Sequence, residues 1–135
     1  MAHDIIHHIG DYFRSKPEIA AVYLFGSFAR GGHRPFSDLD LGLVFERCTR
    51  SVAAKKMAGY FIELSKLTRK DPHLVSMNYA DELLLKQIFA KGRCILVNNP
   101  KTLSKFRTEA YAKIADFGFH KKRIEKCFTQ KLMQG

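Results

Sequence analysis

Apolar and polar positions along the chain follow two spacings, one typical of helices and one typical of strands. Residues 3–15 place isoleucine and aromatic side chains three and four positions apart, which predicts an amphipathic helix that ends before Pro17. Pro100 is expected to open a long C-terminal helix, with a bend or an interruption at Gly118.

Two further helices are bounded by capping residues. Ser51 is expected to cap a helix that ends near Arg69, because a serine oxygen can accept a hydrogen bond from a free amide of the first turn. Asp81 is expected to cap the next helix in the same way, with Gly92 as its C-terminal stop.

Four short apolar runs separate these helices and predict strands. They cover residues 21–25, 38–45, 74–78 and 94–97. Strands that alternate with helices predict an α/β fold, in which a mixed sheet of about four strands is covered by helices. The 135 residues suit a single domain, with its core in residues 18–98 and a C-terminal helical segment over 100–131.

The second strand carries Asp38 and Asp40 inside an otherwise apolar stretch. Because side chains alternate between the two faces of a strand, both carboxylates lie on one face, which Gly42 and Val44 are expected to leave open nearby. Two adjacent carboxylates are costly without a cation, so the pair predicts a site for a hard divalent ion such as Mg²⁺. The opposite face collects apolar residues: Leu39, Leu41, Leu43 and Phe45.

The segment before these aspartates has the features of a phosphate-binding loop. Gly26 ends the first strand, where the backbone must turn or approach a ligand closely. Ser27 and the amides after it can donate hydrogen bonds to phosphate oxygens, and Arg30 and Arg34 add cations that suit the same oxygens. The loop and the carboxylates together predict a nucleotide site.

Two motifs in this part of the sequence resemble those of a known family. The sequence GSFARG at residues 26–31, followed by SDLDL at residues 37–41, resembles the signature of the minimal nucleotidyltransferases (MNT) of the DNA polymerase β-like superfamily. Residues 74–97 resemble the third strand, helix and fourth strand of these proteins. Residues 109–117 resemble the C-terminal helix of those members that are paired with HEPN-domain toxins. The resemblance therefore covers most of the chain.

The resemblance implies a reaction. In this family an acceptor hydroxyl attacks the α-phosphate of ATP in the presence of Mg²⁺, and pyrophosphate leaves. In the antitoxin branch the acceptor is a tyrosine of the partner HEPN ribonuclease, and the added AMP silences that toxin. The resemblance assigns nucleotide binding to Gly26, Ser27, Arg30 and Ser37, with bracing of the loop as the alternative role of Arg30. It assigns catalysis and metal binding to Asp38 and Asp40.

One position departs from the pattern of the family. Where the family commonly carries a third carboxylate, this chain has His73. An imidazole can bind a metal or accept a proton, although it suits Mg²⁺ less well than an oxygen ligand does. Asp71 has the same strand parity and is a second candidate for this role. If neither residue substitutes, the chain is an antitoxin that acts only by covering its toxin.

The net charge of +10 predicts a polyanionic partner or surface. Residues 101–135 hold nine Lys/Arg and three Asp/Glu. This segment is either a solvated basic helix or a docking surface for the toxin or, alternatively, for RNA. A transferase for a small acceptor such as an aminoglycoside is a further alternative, although little chain remains for an acceptor domain. Assembly with the toxin into larger oligomers is compatible with these expectations.

The cellular compartment follows from the cysteines and the apolar runs. Three widely spaced cysteines argue against a disulfide framework and for a reducing cytoplasm. Because no apolar run approaches the length of a membrane span, no membrane partner is expected. The N-terminal residues also lack the pattern of a secretory signal.

Overall fold

A computed structural model describes residues 2–26 and 39–134, with side chains described for residues 4–26 and 39–117. The helices and strands expected from the sequence are all present. In chain order they are α1 (Ala2–Arg14), β1 (Ile19–Phe25), β2 (Leu39–Phe45), α2 (Arg50–Thr68), β3 (Pro72–Ser76), a short 3₁₀ helix (Met77–Tyr79), α3 (Glu82–Lys91), β4 (Arg93–Val97) and α4 (Pro100–Gln134).

Three details differ from the expectation. Thr49 caps α2 in place of Ser51, because Thr49 has the extended backbone of a cap and its hydroxyl accepts the Val52 amide at 3.2 Å. The third strand begins and ends two residues earlier than residues 74–78, since the chain turns into the 3₁₀ helix. Helix α4 continues through Gly118 without an interruption.

The early end of β3 is explained by Asn78. Its side-chain amide replaces the backbone as the partner of β2: Asn78 Oδ1 accepts the Phe45 amide at 2.8 Å, and Asn78 Nδ2 donates to the Phe45 carbonyl at 3.2 Å. The side chain thus satisfies the backbone groups that a longer β3 would have paired.

The four strands form one mixed sheet in the order β3-β2-β1-β4. β1 runs antiparallel to both of its neighbours, whereas β2 and β3 are parallel and are joined by the crossover helix α2. Since β1 and β2 are antiparallel neighbours, the C-terminal end of β1 lies beside the N-terminal end of β2. The predicted α/β fold with a mixed sheet is confirmed.

Helices cover both faces of the sheet. On one face, α1 and α2 pack on four apolar side chains of β2, each of which is at most 1% exposed. These are Leu39, Leu41, Leu43 and Phe45. On the other face, α3 and α4 pack on β1 and on Val44. None of the helices in the described part of the chain is long and apolar enough to cross a membrane.

Side-chain hydrogen bonds attach α4 to the sheet at two places. At its start, Glu46 accepts hydrogen bonds from Asn99 Nδ2 at 2.8 Å and from Thr102 Oγ1 at 2.9 Å. Further along, Arg107 Nε donates to Tyr23 Oη at 2.8 Å. Because Glu46 directly follows β2, α4 starts at the end of the sheet that is opposite to Asp40.

Candidate active site

Three of the predicted site residues meet at one end of the sheet. In the strand register Phe25 lies opposite Asp40 on β2, and Asp40 lies opposite His73 on β3. Gly26 directly follows Phe25 and therefore sits beside Asp40. The register thus brings together residues that are 14 and 33 positions apart in sequence.

Gly26 is suited to this place for two reasons. Its φ of 76° is a left-handed conformation that side chains other than glycine rarely adopt. In addition, a Cβ built on Gly26 would overlap Oδ2 of Asp40 and lie 3.0 Å from its Cγ. The absence of a side chain therefore lets the Asp40 carboxylate pack directly against the turn that follows β1.

The second oxygen of the same carboxylate contacts the neighbouring strand. Asp40 Oδ1 lies 3.0 Å from Nδ1 of His73, and the tautomer of the ring decides whether this nitrogen donates a hydrogen bond. The Asp40 side chain is 20% exposed and that of His73 is 66% exposed. The pair is consequently open to solvent on the imidazole side, where a ligand can approach.

Asp71 does not take the position that His73 holds. It precedes β3, is exposed, and lies before Pro72, which is the first residue of that strand and pairs with Leu39. In the register of β3 it is His73 that lies opposite Asp40.

The face of β2 that carries Asp40 is covered at Gly42. The expectation that Gly42 leaves this face open is therefore wrong. A Cβ on Gly42 would lie 2.8 Å from Sδ of Met77 and 3.6 Å from Cδ1 of Ile88. Gly42 therefore makes room for core side chains of the 3₁₀ helix and α3, and only the end of the strand remains for a ligand. No sequence pattern indicates this contact, because it depends on where α3 crosses the sheet.

Four of the predicted site residues lie outside the described part of the chain, namely Ser27, Arg30, Ser37 and Asp38. Among the described residues, no group of three His, Cys, Asp or Glu side chains could hold a metal ion. The described donors at this end of the sheet are the Asp40 carboxylate and the His73 imidazole. A metal bound here would thus need further ligands from residues 27–38 or from a substrate.

The family of the chain is given by a comparison of its sequence with family models. The model described as "Polymerase beta, Nucleotidyltransferase" matches residues 7–101, which include β1, β2, β3 and β4. No curated protein matches the chain in sequence.

Solved structures with a similar fold come from complexes of MNT antitoxins with HEPN toxins. A chain of a toxin–antitoxin complex with AMP-PNP is 19% identical, has a TM-score of 0.68, and the match covers 95% of this chain and 98% of that one. A chain from the complex of the tri-AMPylated Shewanella oneidensis HEPN toxin with its MNT antitoxin is 17% identical, with a TM-score of 0.65 and coverages of 98% and 99%.

A third complex, MntA–HepT, contains a chain that is 17% identical, with a TM-score of 0.63 and coverages of 97% and 98%. At these identities the likeness extends to the fold, over nearly the full length of both chains. Together with the sequence match over most of the chain, it shows that this protein belongs to the polymerase beta nucleotidyltransferase family.

Proposed function

We propose that this chain is an antitoxin that transfers AMP from ATP, with Mg²⁺, to a tyrosine hydroxyl of a cognate HEPN-domain toxin. The observation that carries the proposal is the position of Asp40, whose carboxylate packs against Gly26 at the end of β1 in a nucleotidyltransferase domain. Two of the similar structures support the donor and the acceptor, since one contains AMP-PNP and the other a tri-AMPylated toxin.

The residues at this end of the sheet fit a divalent ion. Asp40 offers carboxylate oxygens at a solvent-open strand end, and Asp38 shares its strand parity. Carboxylates together with substrate phosphates are the usual ligands of Mg²⁺. When bound, Mg²⁺ would neutralise the charge that develops on the transferred phosphoryl group.

The chain itself would position the two reactants. The backbone amides after Gly26 would donate hydrogen bonds to the phosphates, and Ser27, Arg30 and Ser37 would hold the nucleotide. The acceptor oxygen then forms a bond to the α-phosphorus while the bond from that phosphorus to pyrophosphate breaks. The hydroxyl proton passes to a basic group of the site, for which Asp38 and His73 are candidates.

The toxin would be held by the basic segment, which we define as residues 117–126. It contains Lys121, Lys122, Arg123 and Lys126 next to two phenylalanines, and aromatic side chains beside cations are typical of interface cores with a charged rim. Of these side chains the structure describes Phe117, which is 36% exposed. In the cell the pair would act in the reducing cytoplasm, in keeping with free thiols at Cys48 and Cys94.

The test uses ATP labelled at the α-phosphate, Mg²⁺ and the purified cognate HEPN-domain toxin. Label should move to the toxin, and Asp38→Ala and Asp40→Ala should each slow the transfer by at least about 100-fold, because each removes a metal ligand. A matched control is Asp11→Ala, which removes an exposed carboxylate of α1 that pairs with Arg14. Wild-type transfer rates in the Asp40→Ala protein would refute the proposal.

A second candidate function is neutralisation by binding alone. The observation in its favour is that His73, and not a carboxylate, lies opposite Asp40. In this case the toxin would lose its ribonuclease activity in the complex without receiving label. The Asp40→Ala protein would then inhibit the toxin as well as wild type does, which separates the two functions in one experiment.

A further inference from the structure

The contact between His73 and Asp40 has a geometry that also suits two neighbouring ligands of one metal ion. Their Nδ1 and Oδ1 atoms are 3.0 Å apart. Two adjacent ligands of an octahedral ion, each at about 2.1 Å from the metal, lie about 3.0 Å from each other. The pair on β2 and β3 could therefore bind the same ion with little rearrangement of the strands.

An imidazole changes the chemistry of such a site. A carboxylate in this place would add a hard, negatively charged oxygen, whereas His73 adds a neutral nitrogen donor. Mg²⁺ favours oxygen ligands, while imidazole nitrogen suits transition-metal ions better. Mn²⁺ accepts both kinds of donor in an octahedral arrangement and can replace Mg²⁺ at carboxylate and phosphate ligands.

We propose that His73 is a nitrogen ligand of the divalent ion at this site and that it shifts the metal preference of the chain from Mg²⁺ toward Mn²⁺. The inference rests on the proposed function, since it concerns the ion of the same nucleotide site. It differs from a role in which Nδ1 only donates a hydrogen bond to Asp40, because a hydrogen-bond donor does not contact the metal.

The experiment detects the nitrogen directly. The full chain, labelled with ¹⁵N in its histidines, is mixed with Mn²⁺ and α,β-methylene-ATP, which the chain cannot cleave at the α-phosphate. Electron–nuclear double resonance should show a ¹⁵N coupling to Mn²⁺. The label separates histidine from the adenine nitrogens. The coupling should disappear in His73→Asp and in His73→Asn.

A matched control uses another histidine of the chain. His7 is exposed on α1 and pairs with Asp11 at 3.2 Å, so His7→Gln removes an imidazole away from the site and should leave the coupling unchanged. Calorimetric titration with both ions gives a second measurement. In His73→Asp the ratio of Mn²⁺ to Mg²⁺ affinity should fall by about tenfold.

The outcomes separate this inference from the proposed function. Mn²⁺ bound with nucleotide but without a ¹⁵N coupling would overturn the inference and leave the transferase function standing. If the coupling disappears in His7→Gln and persists in His73→Asn, the ion lies at the N-terminal helix, and the inference is likewise overturned. If neither Mn²⁺ nor Mg²⁺ binds in the presence of nucleotide, the inference and the proposed function are both overturned.

Discussion

Replacing Gly26 with alanine should destabilise the fold through two separable effects. The first is backbone strain, since Gly26 has a φ of 76°. The second is steric, because the new Cβ would overlap the Asp40 carboxylate and lie 3.3 Å from the Asp40 Cβ. The carboxylate would have to rotate away, and its contact with His73 would be lost.

The loss in free energy of unfolding follows from the backbone strain and the steric overlap. A left-handed conformation costs a residue other than glycine about 1–2 kcal/mol. Crowding in a packed region costs about 1–3 kcal/mol, and the lower half of this range applies because the obstacle is a side chain that can rotate. We therefore expect the free energy of unfolding to fall by about 2–4 kcal/mol in Gly26→Ala.

The assay is urea unfolding in EDTA, applied to a double-mutant cycle of Gly26→Ala and Asp40→Ala. Asp40→Ala alone should change the free energy of unfolding by less than about 1 kcal/mol, because its main polar contact is to an exposed histidine. In the Asp40→Ala background the overlapping carboxylate is gone and only the 3.3 Å contact between the two Cβ atoms remains, so Gly26→Ala should cost little more than the backbone strain. The cycle should therefore show a coupling of about 1–2 kcal/mol.

A second glycine provides the control. A Cβ on Gly59, in the interior of α2, would meet nothing within 4 Å. Gly59→Ala should raise the free energy of unfolding by about 0.5–1 kcal/mol through helix propensity. If Gly26→Ala costs the same with and without the Asp40 carboxylate, the proposed close packing of these two residues is wrong.

Three further predictions concern the core, a partly buried hydrogen bond and the basic segment. Gly42→Ala should lower the free energy of unfolding by about 1–2 kcal/mol in thermal denaturation, because Met77 must move; an unchanged melting temperature would contradict this. Burial alone raises the pKa of Glu18, but the hydrogen bond from Tyr60 at 2.6 Å and nearby lysines lower it overall. The ionised Glu18 therefore stabilises the fold at neutral pH, and this contribution is lost as the pH falls below the ordinary glutamate value of 4.5. Tyr60→Phe should cost about 1–2 kcal/mol at pH 7 and less in acid, measured by urea unfolding at several pH values; a constant difference would contradict the assignment. Charge reversal in the basic segment should slow toxin association by at least about tenfold at low salt in stopped-flow experiments, while transfer to small acceptors stays unchanged. Loss of RNA affinity alone would instead assign the segment to RNA. The reversed residues are Lys121, Lys122 and Lys126.

Much of the fold could be predicted because it depends on local patterns. The alternation along β2 indicated which side chains face α1 and α2, and Asp81 and Pro100 marked helix starts that the structure contains. The cap of α2 was predicted at Ser51 and lies at Thr49, since both residues can cap and a sequence pattern locates a helix end only to within one or two residues. The predicted interruption at Gly118 is wrong, because a single glycine weakens a helix without ending it.

The site could be predicted less completely, because its geometry depends on the register between strands. The motif indicated that Gly26 and Asp40 belong to one site, but their direct packing follows from the pairing of β1 with β2. The place of His73 opposite Asp40 depends on how α2 returns the chain to the sheet, which no local pattern specifies. The roles of Asp38 and of the loop before it stay predictions.

The length of α4 has a consequence for where a partner can bind. A helix of 35 residues is about 50 Å long, whereas the seven residues of β2 span about 20 Å. Hydrogen bonds to Glu46 and then to Tyr23 show that α4 starts at the end of the sheet opposite to Asp40 and runs toward the end where Asp40 lies. Because α4 is more than twice as long as β2, its C-terminal part extends beyond the sheet. A protein that binds this part of α4 would contact the domain at its Asp40 end. Partner binding and contact with the acceptor hydroxyl would then take place on the same side of the molecule.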